Sequence, residues 1–218
     1  MGQAELFEAV KRKDLETVTR TCAERPELVN MRDAQGNSPI LLAAYYGARE
    51  VMAYLLEAGA LLNVYEACAL GKLETVRSIV TLHPELLNSY AHDGFTPLGL
   101  AAFFGHQDVA LFLILQGADV KTPSYNTMRV QPLHSAAATR QLAVAELLLR
   151  HGADANARQH LGWTPLHSAA HNKQAEMVRL LLKYGADPEA PNEAGLTPRA
   201  MAEQTGEAAL VELLQPKA

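Results

Sequence analysis

Cysteine, tryptophan, basic excess and long apolar runs are all scarce in this chain. Its 218 residues hold two cysteines, Cys22 and Cys68, and one tryptophan, Trp163. Two thiols far apart in apolar, helix-like surroundings are no disulfide framework and imply a reducing, cytoplasmic setting. An apolar run such as Val109 to Leu115 spans seven residues, against the roughly 18 to 20 that cross a bilayer, so no membrane association is expected. Nineteen Lys and Arg face 24 Asp and Glu, for a formal charge of −5, which makes a phosphate backbone a poor partner and argues against nucleic acid. The N-terminus lacks the basic-then-apolar order of an export signal. Leu6 stands where a myristoylation pattern wants Ser or Thr. With 49% apolar and 20% charged residues, the chain has enough core material to exclude disorder as its main state.

What the chain does have is self-similarity. Proline recurs at 39, 97, 132, 165 and 198, at intervals of 58, 35, 33 and 33 residues, which makes a 33-residue period the dominant signal. The best-preserved copies are Thr164-Pro165-Leu166-His167-Ser168-Ala169-Ala170 and Gln131-Pro132-Leu133-His134-Ser135-Ala136-Ala137, with Thr96-Pro97-Leu98-Gly99-Leu100-Ala101-Ala102 earlier. The 58-residue interval is itself a duplication: Leu15-Glu16-Thr17-Val18 repeats as Leu73-Glu74-Thr75-Val76, and Pro26-Glu27-Leu28 as Pro84-Glu85-Leu86. Each such unit joins a degenerate repeat, without the Thr-Pro-Leu-His opening, to a regular one.

Each period spells out local structure. Ser or Thr before Pro caps a helix whose first position tolerates the missing N–H. The helix runs through the paired alanines to Gly47 or Gly105. A second helix follows, with apolar positions three and four apart, as in Val178, Leu181 and Leu182. It stops at the Gly-Ala pairs beginning at Gly59, Gly117, Gly152 and Gly185, where glycine supplies a left-handed cap. One helix pair cannot bury its own apolar faces, so neighbours must stack. Small alanines let helices approach to the short end of the roughly 8 to 10 Å range, and Ala169→Leu is expected to overpack. The expectation is an all-α repeat solenoid of helix, turn, helix and hairpin or loop. Six repeats are read at about 4–32, 33–61, 62–90, 91–121, 122–157 and 158–190, with a capping half-repeat at 191–216, all within one domain of residues 1–218.

The Thr-Pro-Leu-His and Gly-Ala-Asp motifs and their 33-residue spacing resemble the ankyrin repeat over nearly the whole chain. The order of the degenerate Glu66-Ala67-Cys68-Ala69-Leu70-Gly71 copy, then Asp93 to Leu98, then Met128 to His134, is similar to that of single-domain bacterial ankyrin-repeat proteins. The resemblance implies protein binding through hairpin tips and the groove beside the first helices, and no catalytic activity. Carried onto this sequence, the groove positions after the alanines are Tyr45 and Tyr46, Phe103 and Phe104, Ala138 and Thr139, and His171 and Asn172. Before each proline they are Asn37, Phe95, Val130 and Trp163. Tyr and Trp suit an interface hot spot, but rings at these positions equally serve as core filler, and the sequence leaves both open.

Two further features stand out. The stretch from Gly117 to Pro132 spans 15 residues where its equivalents span 13, and this insertion carries Tyr125, Met128 and Arg129, placed to project into solvent. A neutral insertion is the alternative. Arg140 and Lys173 occupy the place of Gly47 and Gly105, where a left-handed turn costs a non-glycine residue on the order of 1 kcal/mol; strained or re-routed helix ends are expected there.

Catalysis has no motif. His134 and His167 belong to the repeat signature. His167 and His171 have helical i, i+4 spacing, but no third ligand or partnering Glu follows, so neither metal nor cofactor is expected. Phosphate-cradling glycine loops and nucleophile elbows are missing. Two rival readings remain: a metal-dependent enzyme using His134, His167 and His171, and a self-associating regulatory module.

Overall fold

A computed structural model describes residues 2–215; the end of the expected capping segment, residue 216, lies outside them. The described residues form seven helix pairs and no strand. In chain order these are α1 (Gly2–Arg12) and α2 (Leu15–Glu24), α3 (Pro39–Tyr45) and α4 (Arg49–Glu57), α5 (Val64–Ala69) and α6 (Leu73–Leu82), α7 (Pro97–Phe104) and α8 (Gln107–Leu115), α9 (Pro132–Ala138) and α10 (Leu142–Arg150), α11 (Pro165–His171) and α12 (Ala175–Lys183), and α13 (Pro198–Thr205) and α14 (Ala208–Leu213). Odd-numbered helices pack on one another in a first row and even-numbered helices in a second. The first row is the tighter, because alanines such as Ala101, Ala102, Ala136, Ala137, Ala169 and Ala170 are fully buried along it. The molecular surface of 10743 Å² exceeds the roughly 9,800 Å² of a compact protein of this mass, as a single-file stack requires.

The helix starts follow the sequence closely. Ser38, Thr96 and Thr197 accept backbone N–H bonds from Leu41, Gly99 and Ala200 at 3.3, 3.0 and 3.1 Å, each with Pro at the first helical position. In α11 a capping box forms between Thr164 and His167; in α9 half of it forms, His134 Nδ1 accepting the Gln131 N–H at 3.3 Å, while the Gln131 side-chain oxygen is buried without a partner. In α5 the box is built from Asn63 and Glu66 instead, so the degenerate repeat puts a carboxylate where α9 and α11 put imidazole.

Loops link the pairs, and all but the short α4–α5 link share one backbone bond. The N–H of Asp33, Ala91, Gln159 and Asn192 donates to the carbonyl four residues on, at Asn37, Phe95, Trp163 and Leu196, over 2.9 to 3.0 Å. At the insertion the same bond runs from Ser124 to Val130, six residues on, at 2.9 Å. Asparagines then staple consecutive pairs: Asn30, Asn88 and Asn156 accept the N–H of Leu61, Asp119 and Asp187 at 2.7, 3.0 and 2.8 Å.

The apolar core has a seam. One buried cluster runs from Leu6 to Leu55 and another from Val64 to Leu214. Across the seam lies Glu66, 1% exposed, which accepts bonds from the Ser38 hydroxyl at 2.6 Å, the Arg32 guanidinium at 3.0 Å and the Asn63 backbone at 2.8 Å.

Candidate functional site

The first-row helices deliver their C-terminal residues to one face, and four aromatics meet there. Tyr45 ends α3; Phe103 and Phe104 end α7. The ring of Phe103 lies 5.9 Å from that of Tyr45, edge-on, and 5.1 Å from Phe104; Tyr45 and Phe104 are 5.3 Å apart. Phe95, in the loop before α7, lies 6.4 Å from Phe103. All four are half-buried. These ring contacts join α3 and α7 across the intervening α5. The Tyr45 hydroxyl also donates to Asp93 at 2.6 Å. Tyr46, the residue beside this cluster, is 45% exposed.

Trp163 and His171 make a second patch. The indole lies 5.9 Å from His171, edge-on, and 5.8 Å from His167; it is half-buried, and His171 is exposed. Between the two patches runs a polar stretch from the α9 repeat. The Thr139 hydroxyl donates to the Phe103 carbonyl at 2.8 Å, Asn172 to the Ala138 carbonyl at 3.3 Å, and Arg140 to the Asn172 carbonyl at 2.7 Å. The aromatic set is therefore two islands.

The insertion sits at the loop edge. Tyr125, Met128 and Arg129 are all exposed. The Tyr125 N–H donates to the Gly94 carbonyl at 2.7 Å, and the Met128 carbonyl accepts from His160 at 3.0 Å, so the longer loop is tied to both neighbours. A Cβ on Gly94, whose φ is 83°, would run into the Tyr125 carbonyl. Sequence reasoning missed Tyr90, whose ring lies 5.7 Å from Tyr125. Its position just before a loop, where the other repeats carry Arg32, Pro123, Arg158 and Pro191, was the available signal.

Arg140 and Lys173 adopt left-handed backbone, with φ of 66° and 56°, as their alignment with glycine implied. The histidines of the signature are structural. In His134 and His167 the Nδ1 accepts the N–H of Gln131 or Thr164, leaving Nε2–H to donate to the carbonyl of Ala157 or Leu196, each at 3.0 Å. Burial pushes the His134 pKa down to about 4 and that of His167 below its usual value, so both are neutral at pH 7. Among the described residues no three His, Cys, Asp or Glu side chains come together as a metal set. Cys22 and Cys68 are buried and free, with their thiol pKa values raised by burial, the opposite of an activated nucleophile. No helix is long and apolar enough to cross a membrane among the described residues.

A family model described as "Ankyrin repeats (3 copies)" matches residues 6–124, 64–159 and 133–218. The chain is 30% identical over 180 residues to the probable 26S proteasome regulatory subunit p28 of Saccharomyces cerevisiae, covering 75% of this chain and 77% of that protein. It is 28% identical over 155 residues to transient receptor potential cation channel subfamily A member 1 of Drosophila melanogaster, covering 63% of this chain and 13% of the channel. Similarity to alpha-latroinsectotoxin-Lt1a of Latrodectus tredecimguttatus is 30% over 123 residues, covering 53% of this chain and 9% of the toxin.

Proposed function

The chain belongs to the ankyrin-repeat family, and from that membership we propose that it is a non-catalytic protein-interaction module whose first-row face receives a protein or peptide. The observation that carries this reading is the exposure of Tyr46 and His171 on that face, each beside half-buried rings. Amphipathic aromatics on rigid helix ends give large contact area at little ordering cost. The loop edge with Tyr125, Met128 and Arg129 continues the surface. A relative described as a regulatory subunit supports the same reading, since a subunit is held by protein neighbours. Buried free thiols favour a reducing, cytoplasmic setting.

The test compares proteins retained from a lysate of the source organism by the native chain and by two variants. Tyr46→Ala with Trp163→Ala is expected to lose retained partners while thermal unfolding stays cooperative. A second-row control, Leu111→Ser, is expected to keep them. Equal retention by all three contradicts the assignment to the first row.

A further inference from the structure

The insertion builds a notch at the loop edge. Tyr125 is 81% exposed and Tyr90 is 42% exposed, and their rings stand 5.7 Å apart, tilted by 41°. Both are mounted on held backbone. The Tyr65 hydroxyl donates to the Tyr90 carbonyl at 2.8 Å. Asn126, next to Tyr125, donates to the Asp93 carbonyl at 2.8 Å and accepts from the Ser124 hydroxyl and the Met128 N–H at 2.9 and 3.0 Å. The rings open onto a shallow pocket of about 440 Å³, walled by Tyr90, Pro123, Ser124, Tyr125, Thr127 and Arg129. Arg129 is the single formal charge on its wall, in a chain of net charge −5. Its backbone is left-handed, with φ of 51°, and its guanidinium makes no ion pair among the described residues.

We propose that this notch docks an extended, proline-containing peptide segment that carries an acidic residue. A polyproline-II segment offers flat apolar rings and bare carbonyls and has little conformational entropy left to lose. Tilted aromatic walls take such rings, and tyrosine hydroxyls donate to such carbonyls. Arg129 supplies the fork that pairs with a carboxylate through two N–H donors. A helix does not suit a site this short, because it needs a groove long enough for anchors a turn or more apart. A nucleobase could stack on the rings, but one cation in an acidic chain cannot neutralise the several phosphates that nucleic-acid affinity draws on. The proposal rests on the reading of this chain as a protein-binding module, yet it uses none of Tyr46, Trp163 or His171.

The test is selection of a displayed library of random dodecapeptides on the intact chain, followed by fluorescence anisotropy of the most enriched peptide. Enriched sequences are expected to place Pro beside Asp or Glu. Binding is expected to weaken by about tenfold or more in Tyr125→Ser and in Arg129→Glu, with the thermal midpoint unmoved because both side chains are exposed. Arg129→Glu is expected to select Lys or Arg in place of the acid. Enrichment without proline, indifference to both substitutions, failure to enrich any sequence, or tip-dependent binding of labelled decauridylate instead of peptide overturns the proposal. Peptides lost only in Tyr46→Ala with Trp163→Ala also overturn it, while leaving the first-row reading standing.

Discussion

The Tyr45 hydroxyl donates a 2.6 Å hydrogen bond to the Asp93 carboxylate, joining two repeats that are not neighbours. Burial, and then this bond, push the Tyr45 phenol far above its usual pKa. Tyr45→Phe removes the bond and keeps the ring, and is expected to cost about 1 kcal/mol, a fall in thermal midpoint of about 2 to 4 °C. A phenol whose pKa is raised by folding contributes stability that is intact below about pH 10 and is lost as pH climbs beyond it. Urea unfolding between neutral and strongly alkaline pH is therefore expected to show a flatter decline in Tyr45→Phe than in the native chain. Identical declines contradict the bond's role.

The seam between the two apolar clusters implies unequal local stability. In hydrogen exchange at rising denaturant, amides of α1 to α4 are expected to open before those of α7 to α12. Glu66→Ala strips the acceptor from Ser38, Arg32 and the Asn63 backbone, and is expected to cost about 2 to 3 kcal/mol and to widen that difference. One opening free energy for all these helices contradicts the seam.

Acid should find His134. Burial lowers its folded pKa to about 4, against about 6.5 in an unfolded chain. A pKa lowered by folding means stability that is present above the unfolded value and is lost as pH falls toward the folded one. Between pH 6.5 and 4 the loss traceable to this residue is on the order of 3 kcal/mol. His134→Gln is expected to be less stable at pH 7 but to show a shallower acid decline, measured by urea unfolding at three pH values; parallel curves contradict the assignment.

The left-handed residues offer a gain in stability. Lys173, with φ of 56°, makes one exposed ion pair, with Glu207 at 3.3 Å, of a kind that contributes little. Lys173→Gly is expected to stabilise by up to about 1 kcal/mol. Gly47→Lys is the converse: a Cβ there meets nothing within 4 Å, so its expected loss of about 1 kcal/mol is backbone strain alone. Calorimetric midpoints that move in the same direction contradict the strain reading.

The repeat architecture was legible because it is written in local chemistry. Ser38, Thr96 and Thr164 before proline, and glycine at the ends of α4, α8, α10 and α12, dictate those boundaries without reference to distant residues. The left-handed turns at Arg140 and Lys173 were legible for the same reason, by alignment with Gly47 and Gly105. What escaped was long-range. Tyr45 meets Phe103 across the repeat between them, and nothing in the local pattern around Tyr45 says so. Tyr90 pairs with Tyr125 through the stacking of separate loops. The seam at Glu66 likewise depends on two clusters failing to merge, a property of packing that no periodicity encodes. The candidate surface was thus legible as a set of positions, but its division into two islands and a loop notch was not.

Everything rests on helix pairs that hide their apolar faces by leaning on one another in single file, leaving the first row open along its length. Small-angle X-ray scattering of the monomer measures this directly. Seven pairs at roughly 10 Å spacing make a body about 70 Å long, so the expected result is a radius of gyration above about 20 Å and a distance distribution with a long tail. A symmetric distribution with a radius near 17 Å, the value of about 2.2·N^0.38 for a compact chain of this length, contradicts it.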